Sequence, residues 1–301
     1  MILFVDCRGA ADNDHEVAAK SKLPRIIGIS GGPPNRAGPL SASVKDEASA
    51  GGGIPGSATI AVYSVKGGVG KTTFSANLAW CSAVASARRT LLWDLDAAGG
   101  SAFLYGLEPQ EAQLAEEVFA RERSAAGLIQ KTAFADLDIL PADESIRTLD
   151  AQLARIGKRK RLAKLTEELA ADYPRIILDC PPVMNELSAQ IVRAADLVIV
   201  PLPPSPLSAR AFDLVVREIA GNTKRHPPIL PVLSMLDMRR ALHKQAHEAN
   251  PNWPSIPYAS VVEQCAVHRQ PVGALAPQSP AAQAFGRLWA AIEKKLAQKR
   301  A

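Results

Sequence analysis

Cysteines and aromatic residues are scarce in this chain of 301 residues, and long apolar runs are missing. The four cysteines are widely spaced and form no C-x-x-C pair, which excludes a zinc ribbon and argues against a disulfide framework. No apolar run approaches the roughly 20 residues that cross a membrane. The opening apolar run, Met1–Val5, is too short for a secretory signal. These absences predict a cytoplasmic protein.

What the chain does contain is an ordinary globular composition with a mild positive charge. Aromatic residues make up 5% of it, but hydrophobic residues reach 47%, which is enough for a buried core. The formal net charge is +5. A charge of this size permits a polyanionic partner without requiring one.

The first 57 residues differ in composition from the rest. Residues 30–57 are dominated by Gly, Pro, Ser and Ala, a composition typical of flexible linkers. Residues 1–29 hold only two short apolar runs, too few for an independent domain. We therefore predict a disordered N-terminal extension over 1–57 and one domain over 58–301. A disordered tail, a docking peptide and a start codon placed too early all remain open for the extension.

From residue 58 onward, short apolar runs alternate with longer segments of helical spacing. Runs that are apolar on consecutive residues are typical of strands buried on both faces. The expected strands are Thr59–Val65, Thr90–Asp94, Leu137–Leu140, Arg175–Asp179, Leu197–Leu202 and Ile229–Met235. The expected helices are Thr72–Ala87, Ile146–Ala171, Glu186–Ala195 and Ser208–Ile219. This alternation predicts an α/β fold with a doubly wound, mostly parallel sheet.

A glycine-rich loop between the first strand and the first helix carries the clearest chemistry. The run KGGVGKTT at 66–73 has the strand–loop–helix context of a phosphate-binding loop. Its backbone amides and the amino end of the helix attract phosphate oxygens, which predicts ATP and Mg²⁺ as cofactors. Lys71 should bridge the β- and γ-phosphates, and the Thr72 hydroxyl should bind Mg²⁺. The residues expected to contact the nucleotide are Gly67, Gly68, Val69, Gly70, Lys71, Thr72 and Thr73.

The loop departs from the usual G-x-x-x-x-G-K-[ST] pattern at its start. Val65 stands where that pattern has its first glycine, and a second lysine, Lys66, follows it. This arrangement resembles the deviant Walker-A ATPases, the ParA/MinD-type P-loop group. The resemblance implies an ATP-dependent homodimer in which Lys66 reaches the phosphates of the other subunit and acts in catalysis, as an arginine finger does.

Two acidic sites follow the loop at strand ends. Leu91–Asp96 ends in Asp94 and Asp96 and resembles the D-x-D-P-Q-G switch segment of ParA-type proteins, although Ala97 and Ala98 replace Pro-Gln. By resemblance Asp96 orients the attacking water or the Mg²⁺ shell, and Asp94 braces the loop. Asp179 ends the apolar strand at 175–179 and matches a Walker-B aspartate, which holds Mg²⁺ through water.

The resemblance extends over 58–301 and implies further nucleotide contacts near the base. Ser234–Arg240 resembles the strand end beside adenine, which places Met235 in the cofactor site. Ile256–Tyr258, followed by Val262 and Glu263, resembles the late loop over the base, which adds Pro257. Slow ATP hydrolysis, stimulated by a partner protein, and the partitioning or positioning of DNA or a large cargo are the functions that the family implies.

Members of the ParA group bind DNA without sequence specificity, which requires only a clustered basic patch. The DNA contacts expected here are Arg239, Arg240 and Lys244. Further basic residues are Lys224 and Arg225, then Lys294, Lys295, Lys299 and Arg300. The run Lys158–Arg161 stays unassigned between a DNA contact and a solvated stretch. DNA binding would associate the protein with the nucleoid.

Three other functions have weaker sequence support. The last helix is amphipathic, like a MinD-type membrane helix, but an apolar stripe without a linker favours a helix docked on the domain. A metabolic P-loop ATPase would share the phosphate loop and add substrate sites. A metal-cluster reductase lacks a convincing cysteine spacing. His243 and His247 lie one helical turn apart without a third ligand and are interpreted as surface histidines.

Overall fold

The computed structural model describes residues 56–108, 114–157, 159–222 and 226–298. The predicted extension at 1–57 lies outside the described residues except for its last two. The strands are β1 (Ala58–Val62), β2 (Thr90–Asp94), β3 (Gln130–Lys131), β4 (Leu137–Leu140), β5 (Arg175–Asp179), β6 (Leu197–Leu202), β7 (Ile229–Leu236) and β8 (Ser255–Pro257). They form one sheet in the order β3-β4-β2-β5-β1-β6-β7-β8.

Helices connect most of these strands. They are α1 (Lys71–Trp80), α2 (Gly100–Leu104), α3 (Leu114–Ala120), α4 (Ile146–Ile156), α5 (Arg161–Leu169), α6 (Glu186–Ala194), α7 (Pro206–Asn222), α8 (Ala241–Ala249), α9 (Ser260–His268), α10 (Val272–Leu275) and α11 (Pro280–Gln298). A π-helical turn at Cys81–Ala85 extends α1, and a short 3₁₀ turn covers Ala125–Leu128.

The sheet is parallel throughout the described residues, apart from the antiparallel pair β3–β4. Its register aligns the carboxyl ends of three central strands. Val62 of β1 lies opposite Asp179 of β5, and Asp94 of β2 lies opposite Asp179 on the other side. Since ligands of open α/β sheets bind beyond the carboxyl ends of the strands, this alignment brings the phosphate loop and the acidic strand ends to one edge.

Two hydrophobic cores lie on opposite faces of the sheet, which confirms the doubly wound architecture. Helices α3 to α7 supply apolar residues to one core, among them Phe119 and Phe212. Helices α1, α2, α9, α10 and α11 contribute to the other, which contains Phe74, Phe285 and Trp289. The central strands are buried on both faces, and this explains their unbroken apolar sequences.

The elements that flank the phosphate loop are shorter than the sequence predicts. The first strand ends at Val62 rather than at Val65, because the chain leaves the sheet before the glycine-rich loop. The first helix begins at Lys71 and passes at Cys81 into the π-helical turn instead of continuing regularly to Ala87. The spacing of apolar residues does not reveal either change.

Other boundaries also differ. The single helix expected over Ile146–Ala171 is two helices, α4 and α5, because α4 ends at Gly157, which adopts the left-handed conformation (φ 64°) favoured at helix ends. Helix α7 is longer than Ser208–Ile219 at both ends. The edge strands β3 and β8 are absent from the prediction, since runs of two and three residues show no periodicity.

The last helix is docked on the domain, as its apolar stripe predicts. The five large apolar side chains of its stripe are buried in the core beside the sheet: Phe285, Leu288, Trp289, Ile292 and Leu296. The Trp289 indole Nε1–H donates to Ser86 Oγ (2.9 Å). None of the helices in the described segments is both long and apolar enough to cross a membrane.

A buried arginine fixes the start of the domain to this helix. Arg175, at the beginning of β5, is 3% exposed. Its Nε and Nη2 donate to both carboxylate oxygens of Glu293 on α11 (2.6 and 2.8 Å), and its Nη1 donates to the Gly56 carbonyl (2.6 Å). A two-pronged ion pair of this kind is geometrically specific. It holds Gly56, β5 and α11 together at the amino edge of the sheet.

Candidate nucleotide-binding site

The phosphate loop occupies the carboxyl end of β1 and leads into α1. Gly68 and Gly70 have positive φ (70° and 96°), a conformation that residues with a side chain rarely adopt. No side chain caps the amino end of α1. Its first amide groups therefore have no side-chain acceptor, as an anion-binding helix end requires.

Lys71 is the first residue of α1, and its side chain is buried beside the sheet edge. The residue is 7% exposed, and burial lowers the pKa of its ammonium, although the nearby Asp179 and Asp96 carboxylates act in the opposite direction. Its Nζ forms no hydrogen bond or salt bridge with a described residue. An ammonium at the end of a largely buried side chain is stabilised by an anionic partner. This donor therefore fits an anionic ligand such as a phosphate.

Asp179 ends β5 and is fully buried. The Ser75 hydroxyl of α1 donates to its Oδ1 (3.2 Å), and the Ser101 hydroxyl of α2 donates to its Oδ2 (2.8 Å). Burial raises the pKa of Asp179 to about 6, although hydrogen bonds from Ser101, Thr72 and Ser75 lower it. A buried carboxylate beside a threonine hydroxyl is a donor set that suits Mg²⁺.

Asp94 and Asp96 follow β2 and differ in environment. Asp94 is fully buried, and its two oxygens accept the backbone N–H groups of Asp96 (3.1 Å) and Ser101 (2.9 Å). It thus braces the loop that carries Asp96, as expected. Burial, and then the charge of Asp179, raise its pKa well above the ordinary value. Asp96 is partly exposed and accepts the Ala98 N–H (3.1 Å).

The same loop packs closely against the phosphate loop. A Cβ atom on Gly100 would lie 3.0 Å from the Thr72 Cγ2 atom, so the start of α2 lies close to the expected Mg²⁺ ligand. The structure therefore brings Lys71, Thr72, Asp94, Asp96 and Asp179 together at one edge of the sheet, from segments far apart in sequence.

Lys66 precedes the glycines, and within this chain its side chain is bonded to α7. Its Nζ donates to Ser208 Oγ of α7 (3.2 Å), and its backbone N–H donates to Ser64 Oγ (3.2 Å). The side chain is partly exposed. In the free chain, then, the second lysine is bound to α7.

A cavity of about 150 Å³ adjoins the phosphate loop on the side of β7. It contains Met235 and Pro257, the two residues expected beside the base, and it shares Gly70 and Thr73 with the loop. The Ser234 hydroxyl donates to the Val69 carbonyl (3.1 Å) and fixes the end of β7 to the loop. The remaining lining residues are Val69, Phe74, Ser234, Ile256, Tyr258, Ala259, Val262, Glu263 and Phe285.

Comparison with known proteins identifies the family. The AAA domain model matches residues 57–230, more than half of the chain. The chromosome partitioning protein ParA of Caulobacter vibrioides is 31% identical over 194 residues, which cover 62% of this chain and 72% of that protein. This chain belongs to the ParA/MinD-type P-loop ATPases. This assignment to the P-loop ATPases agrees with the strand–loop–helix geometry and with the second lysine.

Solved structures place the fold of this P-loop ATPase in the same group. The septum site-determining protein MinD of Pyrococcus horikoshii, complexed with Mg-ADP, is 23% identical (TM-score 0.63) over 81% of this chain and 99% of that one. Cobyrinic acid a,c-diamide synthase of Mycobacterium smegmatis, with a bound ATP analogue and magnesium, is 25% identical (TM-score 0.66), covering 78% and 94%. The first likeness shows the fold alone.

The three basic residues expected to contact DNA lie around the amino end of α8, but two of them are paired. Arg239 donates to both oxygens of Asp237 (2.8 and 3.0 Å). Lys244 Nζ lies 3.9 Å from Glu248 Oε1. Arg240, just before α8, is exposed. The cluster in this P-loop ATPase is therefore less cationic than a count of its lysines and arginines implies.

The other basic groups are only partly described. Lys158, Lys224, Arg225, Lys299 and Arg300 lie outside the described residues. Arg161, the last residue of the unassigned run, is 7% exposed, so it is not part of a solvated stretch.

The interpretation of His243 as a surface histidine is wrong. His243 is 5% exposed, and its Nδ1 accepts the backbone N–H of Asp237 (3.0 Å), which fixes the turn before α8. In the described part of the chain, no three His, Cys, Asp or Glu side chains are grouped to hold a metal ion. The described cysteines, Cys81, Cys180 and Cys265, are all buried thiols.

Several residues of the site escape sequence reasoning. Ser101 bonds both buried aspartates, yet a lone serine after a switch segment gives no signal. Phe285 of α11 lines the cavity beside the phosphate loop, but its apolar periodicity indicates only a core position. Ser75 offers a weak signal: it lies four residues after Lys71, on the same face of α1.

Proposed function

We propose that this protein is an ATP-dependent dimeric switch that uses slow hydrolysis to time its release from DNA, and so partitions or positions DNA or a large cargo. The observation that carries the proposal is Lys71, a 7% exposed residue whose Nζ forms no hydrogen bond or salt bridge with a described residue, at the sheet edge that also holds Asp179. ATP and Mg²⁺ are the cofactors of this switch, and the domain that binds them covers 58–301.

Each residue of the loop has a role in the proposed site. The backbone amides of Gly67, Gly68, Val69 and Gly70 surround the phosphates, and Thr73 binds the α-phosphate. Lys71 holds the β- and γ-phosphates, while the Thr72 hydroxyl and Asp179 hold Mg²⁺, Asp179 through water. Bound Mg²⁺ neutralises the charge that develops on the phosphate oxygens. Met235 and Pro257 border the base.

Hydrolysis in this proposal depends on two further side chains. Asp96 is the partly exposed acid of the switch loop and orients the attacking water or the Mg²⁺ shell, while the buried Asp94 fixes the loop. Lys66 is supplied to the active site of the second subunit and stabilises the transition state there, as an arginine finger does. Dimerisation and hydrolysis are thereby linked, and a partner protein accelerates the reaction.

Non-specific DNA is the proposed surface partner, which places the protein on the nucleoid in the cytoplasm. The support is kinship with the chromosome partitioning protein ParA and the exposed Arg240 beside α8. Arg239 and Lys244 contribute if phosphate displaces their present carboxylate partners, Asp237 (17% exposed) and Glu248 (64% exposed). Such contacts weaken steeply with salt because counterions compete for the phosphates.

The structure favours this function over a membrane-bound one. A MinD-type surface helix needs an apolar face that is free to enter lipid. In this chain the apolar face of α11 is buried in the second core, and Ile292 is fully inaccessible. A metabolic ATPase remains the second candidate, because the 25% identical cobyrinic acid a,c-diamide synthase shares the fold.

One electrophoretic experiment separates these candidates. Arbitrary duplex DNA should shift only with Mg·ATP, and the shift should fade between low and moderate salt. Sedimentation in the same buffers should show the dimer with ATP and the monomer with ADP. The proposal would be contradicted if the DNA shift depended on neither nucleotide nor salt. It would also be contradicted if ATP turnover were stimulated by a small molecule instead of by DNA and a partner protein.

A further inference from the structure

Lys66 is bound within its own chain by a neutral group. Its Nζ donates to Ser208 Oγ (3.2 Å), and it forms no salt bridge in the described parts of the chain. A hydrogen bond between an ammonium and a hydroxyl is weaker than a pair with a carboxylate or a phosphate. The contact therefore positions the lysine but is weak enough to be replaced by a charged acceptor.

Ser208 is fixed before the lysine reaches it. It lies in the first turn of α7, is 1% exposed, and its backbone N–H donates to Ser205 Oγ (3.2 Å). The two hydroxyl oxygens are 2.9 Å apart. Ser205 thus acts as the N-cap of α7, and Pro206 takes the first helical position, where proline is favoured. The acceptor for Lys66 is preorganised by the capping of this helix.

The electrostatics of this position oppose a cation. The amino end of a helix carries a partial positive charge, which favours anions and disfavours an ammonium. Lys66 lies against the amino end of α7, so the Ser208 hydroxyl must offset an unfavourable field. A triphosphate presented by a second subunit offers the same ammonium several charged oxygens. Transfer of the Lys66 ammonium from Ser208 to a phosphate therefore lowers the free energy.

We propose that Ser208 is a positioning residue that retains Lys66 in cis in the free monomer, so that breaking this contact is a step of ATP-dependent dimerisation. The proposal rests on the proposed function for its second half. The Ser208 hydroxyl then sets a threshold for dimerisation. The dimer forms only when the phosphates of tightly bound ATP outcompete Ser208 for Lys66.

The contact itself is tested by lysine labelling of the full-length, nucleotide-free protein. An amine-reactive ester is applied briefly, and the modification of Lys66 is measured by mass spectrometry relative to the exposed Lys131. Ser208→Ala should raise the relative labelling rate of Lys66 about threefold, the size expected when one weak hydrogen bond is lost. An unchanged rate would overturn the retained position.

The threshold is tested by sedimentation over a range of Mg·ATP concentrations. Ser208→Ala should lower the ATP concentration at half-maximal dimer about threefold. Ser208→Asp, which adds a carboxylate to the favourable end of the helix, should raise it at least about tenfold. Ser208→Asn has the same size without the charge and is the matched control. Equal behaviour of the Asp and Asn variants would overturn the proposal.

A double-mutant comparison excludes a merely structural effect. In a Lys66→Ala background, Ser208→Ala and Ser208→Asp should no longer differ in dimerisation, and the affinity of the monomer for ADP should stay within about twofold of wild type in every variant. If wild-type protein fails to dimerise with Mg·ATP, the proposed function fails, whereas the labelling result decides the Lys66–Ser208 contact separately. If labelling changes while dimerisation does not, the threshold is wrong.

Discussion

Asp94 and Asp179 lie directly opposite each other, at the carboxyl ends of the neighbouring strands β2 and β5. Both are fully buried, and Ser101 bonds to both, through its backbone N–H to Asp94 and through its hydroxyl to Asp179. Burial raises the pKa of each carboxyl group. The nucleotide-free site therefore holds acids whose ionisation is disfavoured, and a cation relieves this cost.

This pairing predicts a pH dependence of stability. Native Asp179 keeps its proton up to about pH 6, higher than in the unfolded chain, so its ionisation destabilises the native state above that pH. The free energy of unfolding should thus be higher for Asp179→Asn than for wild type by about 2–3 kcal/mol near pH 7.5, and the difference should vanish towards about pH 4. Urea unfolding of nucleotide-free protein at several pH values measures it.

The exposed Asp172 provides the control for that series. Asp172→Asn should follow the wild-type curve to within about 0.5 kcal/mol at every pH, because Asp172 is exposed and lies away from the buried aspartates. If the free energies of unfolding of wild type and Asp179→Asn differed by the same amount at every pH, the raised pKa of Asp179 would be contradicted.

Lys71→Ala should abolish nucleotide binding. The substitution removes the ammonium that interacts with Asp179 and Asp96, and charge-assisted contacts to phosphate are worth about 3 kcal/mol or more together. Calorimetry with Mg·ATP should show at least a 100-fold loss of affinity, an order-of-magnitude value. Lys131→Ala, at the exposed edge strand β3, should bind like wild type. Retained affinity in Lys71→Ala would remove this lysine from the site.

Lys66→Ala should separate binding from turnover. Its side chain is bound to Ser208 and not to the loop, so affinity of the monomer for ADP should stay within about twofold. Turnover of ATP with DNA and partner protein present should fall at least about 100-fold, because a finger supplied in trans is worth about 10³ or more. Phosphate release reports turnover. Wild-type turnover would disprove the role across the dimer.

Trp289→Ala should destabilise the domain, and it should not change the amount of protein that binds to membranes. The indole is 1% exposed and donates to Ser86, so its removal leaves a large cavity in the second core. We expect a loss of about 3–5 kcal/mol in the free energy of unfolding. Lys294→Ala, exposed on the same helix, should change it by less than about 0.5 kcal/mol. ATP-dependent pelleting with liposomes, lost in Trp289→Ala, would indicate a lipid-binding helix instead.

Arg240→Ala should weaken DNA binding more than Arg239→Ala does. Arg240 is exposed, whereas the Arg239 guanidinium already donates twice to Asp237. Loss of one phosphate contact should reduce the slope of log affinity against log salt by about one. Fluorescence anisotropy with labelled duplex at four salt concentrations tests this. The same slope in all three proteins would place the DNA surface elsewhere.

The sequence predicts the centre of the fold better than its edges. Strands β2, β4, β5 and β6 have the predicted boundaries because buried parallel strands are continuous apolar runs. Strands β3 and β8 are too short to show a pattern, and each is defined only by its pairing with the neighbouring strand, β4 or β7. The break between α4 and α5 depends on the backbone conformation of Gly157, which apolar spacing does not encode.

The candidate site divides in the same way. The residues at 66–73 are contiguous, so a motif is enough to find them, and Asp94, Asp96 and Asp179 stand at recognisable strand ends. The hydroxyl groups of Ser75, Ser101 and Ser208 show no motif, since each acquires its partner only when distant elements pack together. The partial neutralisation of Arg239 and Lys244 depends likewise on local geometry.

The anchor formed by Arg175 has a mechanical consequence for the domain. A pull transmitted through the residues before Gly56 reaches the domain at the amino edge of the sheet, where Arg175 binds both the Gly56 carbonyl and Glu293. From there the load enters β1, which is hydrogen-bonded to β5 on one side and β6 on the other. The force thus enters β1 at the end opposite the phosphate loop. Tension and nucleotide exchange therefore act on separate ends of one strand.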